Sequence, residues 1–139
     1  TMYGDMAGDY APILDVYKTM VYELCYYVNE KAGYQRIPLE IVNREPTAEL
    51  RPGQKDSDSL PPYHTLDRII EDYVEKVKSP KQIADQLGSE GIDREMVREV
   101  IRRINAAEHK RKKMPPGTKI SKLAFGTGRR MPIANGYRL

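Results

Sequence analysis

The stretch Ser79–Ile104, SPKQIADQLGSEGIDREMVREVIRRI, predicts two short amphipathic helices joined by a glycine-containing turn. Ser79 suits the N-cap of the first helix, which is expected to span Pro80–Leu87 and to end at Gly88. Asp93 caps the second helix, which should continue to about Lys110 before prolines stop it. The apolar positions that this second helix turns inward are Met96, Val97, Val100, Ile101 and Ile104.

Two further amphipathic helices precede this pair. Pro12 suits the first turn of a helix whose apolar period runs from Ile13 to a stop at Gly33. Its apolar stripe is wide, so we expect other elements to cover it and Cys25, which lies in the stripe, to be in the core. The next helix is Thr65–Lys78. Its predicted inward face consists of Leu66, Ile69, Ile70, Tyr73, Val74 and Val77.

A long segment without hydrophobic period, Arg44–Tyr63 or REPTAELRPGQKDSDSLPPY, lies between these helices. It follows a short apolar piece, residues 37–42, for which one helical turn is predicted. Its prolines and glycine forbid a long helix or an inner strand. A structureless connection of this length is usually functional or disordered. Both a solvated linker and a loop that folds over a charged small molecule fit the composition, and we take residues 44–63 as a candidate active-site loop.

The composition is that of a soluble globular protein. The 139 residues suffice for one domain, with 31% charged residues, 40% hydrophobic residues and a formal net charge of +3. The single cysteine excludes an intramolecular disulfide and favours a reducing compartment, so we expect a cytoplasmic protein. No apolar run approaches a membrane span and no signal-peptide pattern opens the chain. Because the sequence starts inside a glycine-rich turn without an initiator Met, we expect a fragment.

The C-terminal residues 115–139 form a basic tail without regular period, predicted to be a solvated extension. Its cations, which stand against no acid in the tail, are Lys119, Lys122, Arg129, Arg130 and Arg138. No convincing strand is predicted anywhere. The chain as given is therefore expected to be mainly α, with four or more helices, a long loop and an irregular tail.

The helix pair also resembles a helix-turn-helix, and the cationic run Lys110–Lys113 that follows it could neutralise phosphates. The outward positions of the second helix mix both charge signs, whereas major-groove readers favour Arg, Asn and Gln with few acids. These positions are Arg94, Glu95, Arg98, Glu99, Arg102 and Arg103. A nucleic-acid-binding module over residues 79–113 is therefore the second hypothesis.

Four segments carry a resemblance that covers nearly the whole chain: TMYGDMAGDYAPILDVYK, REPTAELRPGQKDSDSLPPY, EHKRKKMPPG and AFGTGRRMPI. With these motifs in order, the chain resembles NAD synthetase, most closely the C-terminal part of the glutamine-dependent form. The resemblance implies a ligase that forms a carbon–nitrogen bond. ATP adenylates the nicotinate carboxylate of deamido-NAD, and ammonia derived from glutamine displaces AMP to give NAD. Residues 1–139 would be the C-terminal portion of a Rossmann-like α/β nucleotide-binding domain, similar to the adenine nucleotide alpha hydrolases.

The resemblance also assigns binding residues. Lys18, one turn into the first predicted helix, falls where the family binds the ATP phosphates, and Thr47 falls on an ATP-contacting threonine. Asp9, His109 and Lys110 fall on positions that contact deamido-NAD. Two anionic nucleotides require fixed positive charge and hydrogen-bond donors, which agrees with these residue types. No catalytic side chain and no metal ligand is assigned within the chain.

The sequence departs from the family pattern in two ways. Met2 stands where ammonia-only relatives carry a substrate-binding lysine. The phosphate-binding motif SGGxDS is absent, and so are the acidic Mg²⁺ ligand and the glutaminase domain. ATP and Mg²⁺ are therefore expected as cofactors of the intact enzyme, and the fragment alone is expected to be inactive. Its expected partners are the remaining synthetase and glutaminase parts and further copies in a homo-oligomer, with no nucleic acid and no membrane.

Overall fold

The structure is a computed structural model that describes residues 8–47, 52–58 and 60–134. The helices are α1 (Lys18–Ala32), α2 (Leu39–Val42), α3 (Tyr63–Ile70), α4 (Pro80–Ser89), α5 (Arg94–Ala106) and α6 (Glu108–Arg111). A 3₁₀ turn spans Asp56–Asp58, and a π-helical turn, Glu71–Glu75, continues α3. The described ranges contain no β-strand, only an isolated parallel bridge between Ala11 and Gly117. The prediction of a mainly α chain is confirmed.

The chain divides into two compact units. The core unit comprises Thr1–Val16 with Arg68–Leu139, and the loop unit comprises Tyr17–Asp67. Among the residues that the structure describes, no helix is long and apolar enough to cross a membrane.

The core unit is built on α4 and α5, whose N-termini are capped as predicted. The Ser79 hydroxyl accepts from the backbone N–H of Gln82 at 3.3 Å, and the Gln82 side chain accepts from the Ser79 N–H at 2.9 Å. The Asp93 carboxylate accepts from two amides in the first turn of α5, at 3.1 and 3.3 Å. Helix α4 ends at Ser89, two residues later than expected. Local sequence alone therefore determines where both helices begin.

Apolar side chains from three helical segments fill the core. The largest fully buried ones are Ile69 on α3, Val74 in the π-helical turn, Ile83 and Leu87 on α4, and Val97 and Ile101 on α5. Burial of one such side chain contributes roughly 1.5–3 kcal/mol. Four of the five predicted inward positions of α5 are buried, and the fifth, Met96, is half-buried.

The helix predicted as Thr65–Lys78 differs from the prediction in its last turn. The backbone N–H of Lys76 donates to the Glu71 carbonyl at 3.0 Å, a π-type bond that widens the turn. The wider turn moves later residues off the inward face. Val77, predicted to face inward, is 56% exposed and has φ 53°, outside the helix. Period-based prediction missed this shift because it assumes a constant 3.6 residues per turn.

Helix α1 begins at Lys18, not at Pro12 or Ile13 as predicted, because residues 12–15 form a turn. Its C-terminal stop at Gly33, with φ 70°, is confirmed. No residue of α1 is buried, contrary to the expected cover. Cys25 is half-buried and so was wrongly expected in the core.

The described part of the tail, residues 115–134, is not the solvated extension that was predicted. The carboxylate of Asp15 accepts hydrogen bonds from the backbone N–H groups of Ile120 at 2.8 Å, Ser121 at 2.7 Å and Phe125 at 3.1 Å, and from the Ser121 hydroxyl. Ala124 in the same segment is buried. The tail therefore belongs to the core unit.

Helix α5 was predicted to run to about Lys110, but it ends at Ala106 and a separate turn, α6, follows. Glu108 and Arg111 of α6 are both 2% exposed and form an ion pair. The Arg111 guanidinium lies 5.0 Å from the ring centroid of Phe125 in the tail. Arg130 of the tail lies 3.8 Å from Glu108, so this tail cation forms an ion pair with an acid that lies outside the tail. The buried pair therefore lies on α6, after the break that ends α5.

We expect Asp15→Asn to destabilise the core unit in a pH-dependent manner. Burial opposes the charge of Asp15, but hydrogen bonds from Ser121, Ile120 and Phe125 hold its pKa below 3.8. A carboxyl group with a lowered pKa stabilises the fold above its unfolded pKa, and this contribution is lost as the pH falls through the folded pKa. At neutral pH the variant should lose about 1–3 kcal/mol in the free energy of unfolding, a loss that shrinks below about pH 4.

Denaturant titrations of wild type and Asp15→Asn at several pH values measure this difference. Asp85→Asn is the control, because Asp85 is an exposed carboxylate that pairs with Arg94 at 3.7 Å on the surface. A stability difference for Asp15→Asn that stayed constant from neutral to acidic pH would contradict the assignment.

Candidate functional site

Lys18 is the first residue of α1, not a residue one turn into the helix as predicted. Its ammonium lies 5.7 Å from the ring centroid of Tyr22 and 5.8 Å from that of Tyr63. Aromatic faces attract a cation at this range, and the N-terminus of a helix carries a partial positive charge. The loop unit therefore holds an ammonium between two rings at the positive end of α1.

A side chain from outside α1 caps this helix. The N-cap residue Tyr17 supplies no side-chain hydrogen bond, but the carboxylate of Asp67 accepts from the backbone N–H of Thr19 at 2.9 Å. Because Asp67 lies on α3, this bond fixes the first turn of α1, with Lys18, relative to the helix that carries Tyr63.

Tyr63 is in turn bound to the candidate loop. Its hydroxyl donates to the Asp56 carboxylate at 2.5 Å. Burial, followed by this hydrogen bond and the charge of Asp56, raises the pKa of Tyr63, so the phenol stays a donor through the physiological range. Burial and the same carboxylate raise the pKa of Tyr22. Asp56 is thus electrostatically coupled to both rings that contact Lys18.

The described part of the loop is folded around a cavity. The cavity measures about 360 Å³ and is lined by Glu45, Pro46, Asp56, Ser57, Leu60, Pro61, Pro62 and Tyr63. The Asp56 N–H donates to the Pro46 carbonyl at 2.9 Å, and Glu45 pairs with Lys55 at 2.7 Å and accepts from the Ser57 hydroxyl at 2.6 Å. Thr47 follows Pro46 and is half-buried. The described loop residues thus form a turn that hydrogen bonds and an ion pair hold together, next to Lys18. Positions 48–51 and 59 lie outside the described residues.

The three residues predicted to bind deamido-NAD lie in the core unit. Asp9 is exposed, and His109 and Lys110 are half-buried neighbours on α6. The Nδ1 atom of His109 lies 3.0 Å from the Ala106 carbonyl oxygen, which fixes the ring at the helix break. The structure thus brings His109 and Lys110 together. Met2 lies outside the described residues.

The predicted binding residues lie in one unit or the other according to the ligand that each is predicted to bind. Lys18 and Thr47, predicted for ATP, belong to the loop unit, whereas the three predicted for deamido-NAD belong to the core unit. Across the described ranges, no group of three or more His, Cys, Asp or Glu side chains could hold a metal ion.

Sequence reasoning missed Tyr63, Asp67 and the role of Asp56. The one signal was position: Asp56 and Tyr63 lie in the second half of the candidate loop. Another stacked pair was also missed, in the core unit, where the Arg129 guanidinium lies 4.1 Å from the Tyr73 ring centroid.

The outward face of α5 does not offer free arginines. Arg102 pairs with Glu99 and, at 2.9 Å, with Glu95, while Arg103 lies 3.0 Å from Glu99 and Arg98 lies 3.3 Å from Glu95. The acids neutralise the cations that a DNA-reading helix would present.

Comparison with known proteins identifies the family. A family model described as NAD synthase matches residues 1–115. The chain belongs to the NAD synthase family. A glutamine-dependent NAD(+) synthetase of Thermotoga maritima is 48% identical over 138 residues, and one of Acinetobacter baylyi is 46% identical over 138 residues. Each match covers 99% of this chain.

These NAD synthetases are much longer than this chain. It spans 23% of the Thermotoga protein and 25% of the Acinetobacter baylyi protein, about a quarter of each. A solved NAD synthetase structure, the glutamine-dependent enzyme of Acinetobacter baumannii in complex with ADP, is similar with a TM-score of 0.50 and 35% identity. That match covers 89% of this chain and 20% of the solved chain. Nothing in the comparisons supports a helix-turn-helix module.

We expect Asp67→Ala to loosen the start of α1. Loss of a capping acceptor typically costs about 1 kcal/mol, because a backbone N–H is left without a partner. Hydrogen exchange at the amides of Thr19 and Met20 should accelerate, while the C-terminal turn near Gly33 keeps wild-type rates. Glu23→Ala, a substitution at an exposed position of α1, is the control. Equal exchange in both variants would exclude the capping role.

Proposed function

We propose that this chain is the C-terminal portion of the synthetase domain of a glutamine-dependent NAD synthetase. The observation that carries the proposal is the 48% identity to such an enzyme over 99% of the chain. The complete enzyme would adenylate the nicotinate carboxylate of deamido-NAD with ATP, after which ammonia from glutamine displaces AMP and forms the amide of NAD. Residues 1–139 would complete a Rossmann-like α/β nucleotide-binding domain to which this chain contributes helices.

Lys18 and Thr47 would bind ATP. The ammonium of Lys18 stands at the first position of α1 and supplies the positive charge that a phosphate requires. A lysine is a compact point charge suited to phosphate oxygens. The hydroxyl of Thr47 lies in the loop that carries the cavity wall at Pro46 and Asp56. This loop, residues 44–63, would close on the nucleotides and exclude water from the adenylate.

Asp9, His109 and Lys110 would bind deamido-NAD. Adjacent on the short α6, His109 and Lys110 offer a ring nitrogen and an ammonium to an anionic dinucleotide. The Ala106 carbonyl beside Nδ1 leaves the opposite ring nitrogen for the ligand. Electrostatic stabilisation from fixed groups of this kind is the main contribution that a chain without a nucleophile can make.

Other parts of the complete enzyme would supply the remaining chemistry. ATP brings the adenylyl group, and Mg²⁺ would shield its phosphates, but the described residues of this chain provide no ligand set for the metal. The SGGxDS phosphate loop is absent from the sequence. The partners of this chain would be the rest of the synthetase, the glutaminase and further subunits of a homo-oligomer. A cytoplasmic location stays a prediction.

We expect the 139-residue chain alone to form no NAD from deamido-NAD, ATP and ammonia. Without the phosphate loop and metal ligand, nothing positions the reacting phosphorus, and positioning supplies a large share of catalysis. A coupled assay for NAD with purified chain measures this, and a Lys18→Ala chain provides the blank. Turnover above that blank would refute the proposal that other parts of the complete enzyme supply the phosphate loop and the metal ligand.

In the complete enzyme, Lys18→Ala should raise the KM for ATP or lower the adenylation rate by about tenfold or more, as expected for loss of a charged hydrogen bond. His109→Ala should act mainly on the KM for deamido-NAD. Lys31→Ala is a matched control, because Lys31 also lies on α1 over a tyrosine ring, 5.5 Å from the centroid of Tyr27. His64→Ala, at an exposed position, is the second control. Wild-type kinetics for Lys18→Ala and His109→Ala with both substrates would refute the assigned roles.

A further inference from the structure

Lys18 makes two aromatic contacts that the proposed function does not use. Its ammonium lies between the rings of Tyr22 and Tyr63, at 5.7 and 5.8 Å. Tyr22 is one helical turn further along α1, so it moves with Lys18. Tyr63 belongs to α3, which Asp67 joins to the first turn of α1, and it is the ring of the two whose hydroxyl also contacts Asp56 of the loop.

Tyr63 is itself held by the loop. Its hydroxyl donates to Asp56, and the backbone of Asp56 is fixed on both sides: its N–H donates to the Pro46 carbonyl, and its carbonyl accepts from the Leu60 N–H, each at 2.9 Å. Both Tyr63 and Asp56 line the loop cavity. A continuous series of contacts therefore leads from the loop backbone to the Lys18 ammonium.

We infer that Tyr63 is a positioning residue for ATP. The loop residue Asp56 holds Tyr63 by a hydrogen bond, and Tyr63 in turn places the Lys18 ammonium according to the conformation of the loop. The inference rests on the proposed function, because it needs Lys18 to contact the phosphates of ATP. Neither Tyr63 nor Asp56 needs to contact ATP itself.

The charges support this arrangement. A carboxylate that formed an ion pair with an ammonium would compete with a phosphate for it. Here the Asp56 carboxylate instead accepts a hydrogen bond from the Tyr63 hydroxyl, and Tyr63 presents its ring to Lys18. An aromatic face orients a cation without neutralising it, so the ammonium keeps its full charge for the phosphates.

The experiment uses the complete enzyme and separates positioning from folding. Tyr63→Phe keeps the ring and removes the hydroxyl. Asp56→Ala removes the acceptor, while Asp56→Asn restores a neutral one. Tyr26→Phe is the matched control, since its hydroxyl donates to the Asn43 side chain at 3.1 Å elsewhere in the loop unit. For each variant, kcat and the KM values for ATP and deamido-NAD are measured, together with the thermal unfolding midpoint.

Tyr63→Phe and Asp56→Ala should each raise the KM for ATP by about threefold to tenfold, the size of effect expected from one ordinary hydrogen bond. The KM for deamido-NAD should stay within about twofold of wild type, as should every constant of the control. Asp56→Asn should recover part of the loss. In a Lys18→Ala background, Tyr63→Phe should have no further effect on the KM for ATP, because coupled residues are not additive.

The outcomes distinguish the two proposals. If Lys18→Ala leaves both the KM for ATP and the adenylation rate unchanged, the assignment of Lys18 fails and the positioning role fails with it. If Lys18→Ala raises that KM but Tyr63→Phe and Asp56→Ala match Tyr26→Phe, the positioning role alone is overturned. Equal increases in both KM values, or additive effects in the double variant, would assign Tyr63 a general structural role and also overturn the inference.

Discussion

The carboxylate of Asp15 decides how the core unit is assembled. It accepts hydrogen bonds from Ile120, Ser121 and Phe125, residues more than a hundred positions away in the chain. A carboxylate that accepts several backbone N–H bonds is strongly held in its charged form, which makes the contact both specific and sensitive to protonation. Once this anchor is in place, a tail without hydrophobic period has a fixed path. Phe125 can then cover the guanidinium of Arg111 on α6.

The loop unit is organised by different forces. Among its described hydrophobic residues, only Val42 is buried, so apolar burial contributes little to its shape. Polar contacts dominate instead: Asp67 caps α1, and Asp56 holds Tyr63. A structure held by a few polar bonds opens locally at lower cost than one held by extensive apolar burial. The two units are thus stabilised differently, the core unit mainly by apolar burial and the loop unit mainly by polar contacts.

Part of the candidate site could be predicted from the sequence, and part could not. Resemblance supplied Lys18 and His109 because their motifs are contiguous in sequence. It could not supply Tyr63 as a neighbour of Lys18, because the two are far apart in the chain and the contact exists only after α1 and α3 have folded. The length of the loop and its lack of period left two interpretations open, a solvated linker and a binding loop. The pairing of Asp56, in the 3₁₀ turn, with Tyr63 could not be predicted from either.

The sequence by itself determined the family, the mainly helical content and the two helices α4 and α5, since caps and apolar period act within a few residues of one another. Tertiary structure alone decided where α1 begins, where α5 breaks at Ala107 and that the tail packs against the core unit. Each of these depends on a partner distant in the chain, such as Asp67 for Thr19 or Asp15 for Ser121. Local propensity carries no information about such partners, because the energy of the contact arises only when the fold brings them together.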